Sequence, residues 1–256
     1  MALKNRLIFE LLFSEGSFVQ SRNFSHQKVG SIEWLLDRYD LHNLSKSVDE
    51  IFITDLSQDP RPSSKFESVV AKIIDKVRIP VCLGGGVASL EDANRLLGMG
   101  ADKIIVNTGY FEEPDQIAQV AAVHGKQFMI LSIDWMRDDV GNVQVMKSRG
   151  GTKSRRIENM LWDSVSQSFG EILLRSIDRD GTGNGLQVDS INFVPSEVKL
   201  PIVLSGGIGK TEHIIEGLTT PRVSGVATAN LLNFIGDSMG QARNSAIQMG
   251  ANLSRF

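Results

Sequence analysis

A single cysteine, Cys82, in 256 residues excludes an internal disulfide and suits a reducing compartment. No apolar run approaches the roughly 20 residues that cross a bilayer. The start, Met1 to Arg6, lacks the architecture of a secretory signal, and the apolar stretch that follows is broken at Glu10. Charge of one sign is not in excess: the formal net charge is −3 with 22% charged residues, so no nucleic-acid or membrane surface is indicated. His26, His42, His124 and His213 lack metal-ligand spacing and read as loop or surface residues. A cytoplasmic protein with no metal and no cofactor is the expectation.

What is present is a repeat. Asp49-Glu50-Ile51-Phe52-Ile53-Thr54-Asp55 recurs 121 residues later as the stretch from Gly170 to Ser176, and Asp59 falls opposite Asp180. Ile79 to Gly86 matches Leu200 to Gly207 at the same offset. A repeat of half the chain length predicts two similar halves, near 1–124 and 125–256. Short aliphatic runs at Leu7–Phe13, Ile51–Thr54, Val81–Leu83, Ile104–Val106, Phe128–Ile133, Ile172–Leu174, Ile202–Leu204 and Gly225–Ala227 read as strands. Amphipathic segments lie between them, such as Phe66 to Val77, and Ser89 stands as an N-cap before Leu90-Glu91-Asp92. The fold class is α/β: a single (β/α)8 TIM barrel with a twofold internal half-barrel repeat, or an open doubly wound sheet as the alternative.

Three segments read as long loops. Ser14 to Ser31 carries Arg22, His26 and Lys28, and is expected to be a mobile flap above the mouth. Asp138 to Arg156 holds Lys147, Arg149, Lys153, Arg155 and Arg156 around Gly150-Gly151; it is either a solvated hairpin or an anion contact. Asp59 to Ser64 is a proline-stiffened link into a helix. Cys82 reads as a small buried apolar residue, and Trp135 either covers the mouth or packs on the next loop.

Glycine lets backbone N–H groups approach an anion, and a following helix N-terminus adds its positive dipole end. Gly84-Gly85-Gly86 and Ser205-Gly206-Gly207 occupy such positions, one in each half. Asn107 and Thr108, Asp180 and Gly181, and Ala229 and Asn230 supply adjoining groups at other strand exits. Two such sites, one in each half, suit a phosphorylated small molecule with a phosphate at each end.

These motifs together resemble the cyclase (HisF) subunit of imidazole glycerol phosphate synthase. The carriers are Leu83 to Gly86, Gly100 to Thr108, Gly170 to Thr182 and Leu204 to Lys210. The resemblance implies a barrel that takes ammonia from a glutaminase (HisH-like) partner through its core and reacts it with a bisphosphorylated substrate at the far mouth. It places the ammonia gate at Arg6, Glu50, Lys103 and Glu171, and one of two catalytic carboxylates at Asp134. The other falls on Leu12, and a lysine of the family falls on Gln20. Leucine can neither give nor take a proton, and losing one acid/base group costs about 10²–10⁴ in rate. Cyclase turnover is therefore expected to be lost or impaired.

Losing the cyclase acid while keeping the ammonia gate resembles the HisF-like branch associated with acetamidino-sugar synthesis for surface polysaccharides. That branch works beside a glutaminase and an ATP-dependent sugar amidotransferase. Strand parity puts Arg6, Ile8, Glu10 and Leu12 on one face. Glu10 then points into the barrel, lining the ammonia path or substituting for the lost acid; a bulge would instead turn it toward the helices. Three functions remain open: an ammonia-channelling subunit, a working histidine-pathway cyclase, or a non-catalytic phosphometabolite-binding barrel.

Overall fold

The computed structural model describes residues 4–58, 62–230 and 237–255. Asp59, paired with Asp180 by the repeat, lies outside the described residues, as do Pro60 and Arg61 of the link to the next helix. The strands are β1 (Arg6–Ser14), β2 (Ser17–Arg22), β3 (Ser25–Gly30), β4 (Glu50–Asp55), β5 (Val81–Gly84), β6 (Lys103–Val106), β7 (Met129–Arg137), β8 (Val143–Lys147), β9 (Thr152–Arg156), β10 (Glu171–Ser176), β11 (Ile202–Ser205) and β12 (Val223–Thr228).

Eight of these form a closed parallel ring in the order β1-β4-β5-β6-β7-β10-β11-β12, and β12 pairs back onto β1. The chain is a (β/α)8 barrel, and the open sheet is excluded by this closure. Crossovers carry helices whose ends follow local chemistry. Ser63 caps Ser64–Ile74 by accepting from the Phe66 N–H at 3.2 Å. Ser89 caps Leu90–Gly98, accepting from Asp92 N at 3.2 Å while Asp92 accepts back from Ser89 Oγ and Ala88 N, a reciprocal arrangement of the capping-box kind. Between β10 and β11 the described turn of helix is the 3-10 segment Val188–Phe193.

Parity sorts each strand into two faces. Leu7, Phe9, Leu11 and Phe13 of β1 join the large core between sheet and helices. Ile8 turns inward with Phe52, Cys82, Ile105, Ile130, Leu173, Val203 and Ala227, one residue from each barrel strand, each at most 5% exposed. This apolar layer fills the barrel axis, as such cores do. No helix among the described residues is long and apolar enough to cross a membrane.

The long polar segment after β1 is not a loop, and the one after β7 is the hairpin of its two readings. Ser17–Arg22 and Ser25–Gly30 form an antiparallel hairpin that continues from β1, which corrects the expected loop, while its place above the mouth agrees with the expectation. The reason is that Phe18 and Val19 are buried and anchor the first of its strands. Val143–Lys147 and Thr152–Arg156 form the equivalent hairpin on β7. Each half of the barrel therefore opens with a strand that runs on into a hairpin over the mouth.

Candidate functional site

At the N-terminal end of the barrel, Arg6, Glu50, Lys103 and Glu171 are the first residues of β1, β4, β6 and β10. The fold brings all four together. Arg6 Nη1 lies 3.0 Å from Glu50, and Lys103 Nζ lies 3.1 Å from Glu50 and 3.0 Å from Glu171. A direct Arg6–Glu171 ion pair closes the ring. Burial alone would raise the Glu171 carboxyl, but the hydrogen bond and charge of Arg6, with Lys103, outweigh it and hold it below its ordinary range. Cations and anions alternate, so the ring carries no net charge.

Above this ring sits the apolar layer, and above that a second set of charges. Glu10 and Arg175 form an ion pair across the barrel. Arg175 Nη1 also lies 3.8 Å from Asp134 Oδ1. Glu10 is 1% exposed, Asp134 4% and Arg175 9%. Ser132 Oγ donates to Asp134 at 2.8 Å and Ser205 Oγ donates to Glu10 at 3.3 Å. One guanidinium thus serves two buried carboxylates. Burial pushes both carboxyls above their ordinary values, and Arg175 only partly opposes it. The strand is not slipped: Glu10 lies on the interior face.

Arg175 and Ser132 were not among the residues singled out from the sequence. Both follow from parity: Arg175 is four residues after Glu171 on β10, and Ser132 is two before Asp134 on β7. Polar residues at inward positions of an otherwise apolar strand were the available signal.

Glu10, Arg175 and Asp134 form the floor of a chamber of about 290 Å³ at the C-terminal mouth. Leu12 lines it, as do Gly85, Gly86, Asn107 and Thr108. Ser205, Gly206, Gly207, Ala229 and Asn230 line a second, adjoining space of about 30 Å³ with Gln20, Asp180 and Gly181. Backbone packing demands glycine in both halves. A Cβ on Gly85 would stand 2.4 Å from Asp55 O, and one on Gly206 would stand 2.5 Å from Ser176 O.

The two hairpins roof this mouth. Arg149, between β8 and β9, donates from Nη1 to the carbonyls of Leu56 at 3.0 Å and Ser57 at 3.3 Å. Ser148 N donates to Thr108 Oγ1 at 2.8 Å. Asp180 accepts from Ser21 Oγ and from Phe24 N, fixing the other hairpin. His26 is on that hairpin and lines the chamber, so one histidine read as a loop residue belongs to the site's rim. Trp135 is buried against Phe193, ring centroids 4.9 Å apart and perpendicular, and does not cover the mouth. Cys82 is a buried member of the apolar layer. Among the described residues no group of three or more histidine, cysteine or acidic side chains could hold a metal ion.

The family model described as "Histidine biosynthesis protein" matches residues 11–236. A protein of Parasynechococcus marenigrum, provisionally named imidazole glycerol phosphate synthase subunit hisF2, is 36% identical over 244 residues, 95% of this chain and 90% of that one. The imidazole glycerol phosphate synthase subunit HisF of Caulobacter vibrioides is 33% identical over 97% of this chain and 95% of its own. That of Pyrobaculum aerophilum is 34% identical over 93% of this chain and 92% of its own. Barrel, mouth and near full-length similarity agree, and the chain belongs to the histidine biosynthesis protein family as a HisF-like member.

Proposed function

We propose that this chain is the ammonia-accepting subunit of a glutamine-dependent system. A cytoplasmic glutaminase partner docks at the N-terminal end of the barrel, and ammonia passes from the ring of Arg6, Glu50, Lys103 and Glu171 along the axis to an acceptor in the mouth chamber. The acceptor is a phosphorylated small molecule, bound through the glycine-rich strand exits. Cyclase turnover is weak because Leu12 leaves Asp134 without the second carboxylate. The ammonia then serves an ATP-dependent sugar amidotransferase making acetamidino sugars for surface polysaccharides.

The observation that carries this reading is the combination of a complete four-residue charged ring at one end with an apolar side chain at Leu12 at the other. Neutral ammonia can cross the apolar layer by small side-chain motions, whereas an ammonium ion would be stripped of its hydration there at a large cost. The layer therefore suits passage of the neutral base.

A second reading has one observation in its favour. Glu10 lines the same chamber as Asp134, so a carboxylate one layer lower stands available to act for the one missing at Leu12. Under that reading the chain is an active histidine-pathway cyclase. Purified protein with ammonium and the bisphosphorylated cyclase substrate separates the two. No imidazole product supports ammonia delivery without cyclisation; turnover that Glu10→Gln abolishes establishes the cyclase reading. Tight substrate binding with neither product nor stimulation of a glutaminase would point to a binding barrel.

A further inference from the structure

In the eight-strand ring β1 and β7 stand opposite each other, four strands apart either way. Glu10 belongs to β1 and Asp134 to β7, and the Arg175 guanidinium reaches both. The three side chains form a charged bar across the barrel, above the apolar layer. The bar leaves Phe52, Cys82 and Ile105 on one side, from β4, β5 and β6, and Val203 and Ala227 on the other, from β11 and β12.

The half-barrel repeat makes these two sides differ at one position. Gly84 of β5 and Ser205 of β11 are equivalent, 121 residues apart. Ser205 fills its place with a side chain that donates to Glu10 at 3.3 Å. Gly84 has no side chain. A Cβ there would stand 3.0 Å from Ile105 Cβ and 3.5 Å from Thr54 Oγ1, so glycine leaves a notch between those two side chains, two residues along the strand from Cys82 of the layer. Ile105 belongs to the layer and also lines the chamber, so layer and chamber meet at the notch. Thr54 Oγ1 is buried with no hydrogen-bond partner among the described residues, whereas buried hydroxyls ordinarily have one. The adjoining small space touches the layer at Ala227, where the Ser205 hydroxyl is already spent on Glu10.

From this geometry, and resting on the ammonia-conduction reading above, we infer that ammonia leaves the axis through the notch at Gly84 and is received there by the Thr54 hydroxyl. Thr54 Oγ1 accepts one N–H of the ammonia. The carboxylates of the bar, which line the same chamber, are acceptors for the others. A molecule held by acceptors alone keeps its nitrogen lone pair free to attack an acceptor in the chamber. Thr54 is thus the residue that orients the nucleophile, and the bar turns the passage toward it.

Methyl NMR of the full chain tests this, with ammonium chloride titrated at mildly alkaline pH and potassium chloride as the control. The methyls of Ile105 and Thr54 are expected to shift with ammonium and not with potassium, while the Ala227 methyl stays still. Thr54→Val, which keeps the shape and removes the hydroxyl, is expected to weaken the Ile105 shift severalfold. Gly84→Ala is expected to abolish it by filling the notch; Gly84 does not have a positive φ, so alanine suits its backbone. Shifts at Ala227 in place of Ile105, or an Ile105 shift unchanged in Thr54→Val, overturn the exit at Gly84 but leave axial conduction standing. No ammonium-specific shift at any methyl of the layer overturns conduction as well.

Discussion

Glu10 and Arg175 lie 165 residues apart in the chain and form an ion pair inside the barrel, above a layer of apolar side chains. With side chains only 2% and 11% exposed, both charges are largely withdrawn from solvent. Removing one partner of such a pair costs roughly 3–5 kcal/mol, whereas replacing both by apolar groups of similar size is near neutral. Glu10→Gln is expected to lower unfolding free energy by about 3 kcal/mol. The triple change Glu10→Leu, Arg175→Met and Asp134→Asn, which leaves no buried carboxylate of the group without its cation, should recover more than half of that in denaturant titrations. Additive losses would show that the two charges are not coupled.

The two charged levels should titrate in opposite senses. Glu171 is held below its ordinary value near 4.5. Its contribution is present above the unfolded value and disappears as pH falls through the folded one. Asp134 is raised above its ordinary value near 3.8, so its folded state holds the proton more tightly and stability falls as pH rises toward the folded value. The cost of Glu171→Gln should therefore grow as pH rises from about 3 to 5, while that of Asp134→Asn should shrink as pH rises above about 4. Thermal unfolding of both variants across pH measures this, and parallel slopes would contradict the assignment.

The hairpins meet where Gly150, at φ 77°, faces Phe24: a Cβ there would lie 2.5 Å from the Phe24 ring. An alanine at a positive-φ glycine costs about 1–2 kcal/mol even without a clash. Gly150→Ala is expected to separate the hairpin tips. Limited proteolysis near residues 148–151 should accelerate severalfold while the barrel melts at nearly its usual temperature. Unchanged cleavage would mean the roof does not depend on this contact.

Phe52 is the largest side chain of the apolar layer across the axis. Phe52→Ala should destabilise by about 3–5 kcal/mol and leave a dry cavity that binds xenon. A fully collapsed site with no xenon would show that Phe52 does not fill the passage.

Much of the architecture is legible because barrel strands advertise themselves. Each is a short aliphatic run, and Glu50 and Glu171 mark equivalent strand starts in the two halves. The hairpins are harder to see. Ser25–Gly30 is a strand with four exposed residues in succession and no apolar alternation, so only its pairing with Ser17–Arg22 defines it. Parity applied to β1 reaches Glu10. The same step on β10 reaches Arg175, but the acids and glycines that follow it draw attention to the loop instead. The docking of the first hairpin on the loop after β10 is not legible at all, because it joins residues more than 150 positions apart, as Ser21 does with Asp180.

The central claim is that ammonia enters through the charged ring from a glutaminase. The direct measurement is glutamine hydrolysis by the glutaminase that co-purifies with this chain, with and without the wild-type barrel and its Lys103→Met and Glu171→Gln variants. The account expects wild type to stimulate hydrolysis at least tenfold and both variants to lose most of that stimulation. A glutaminase indifferent to the barrel, or stimulated equally by all three forms, would contradict it.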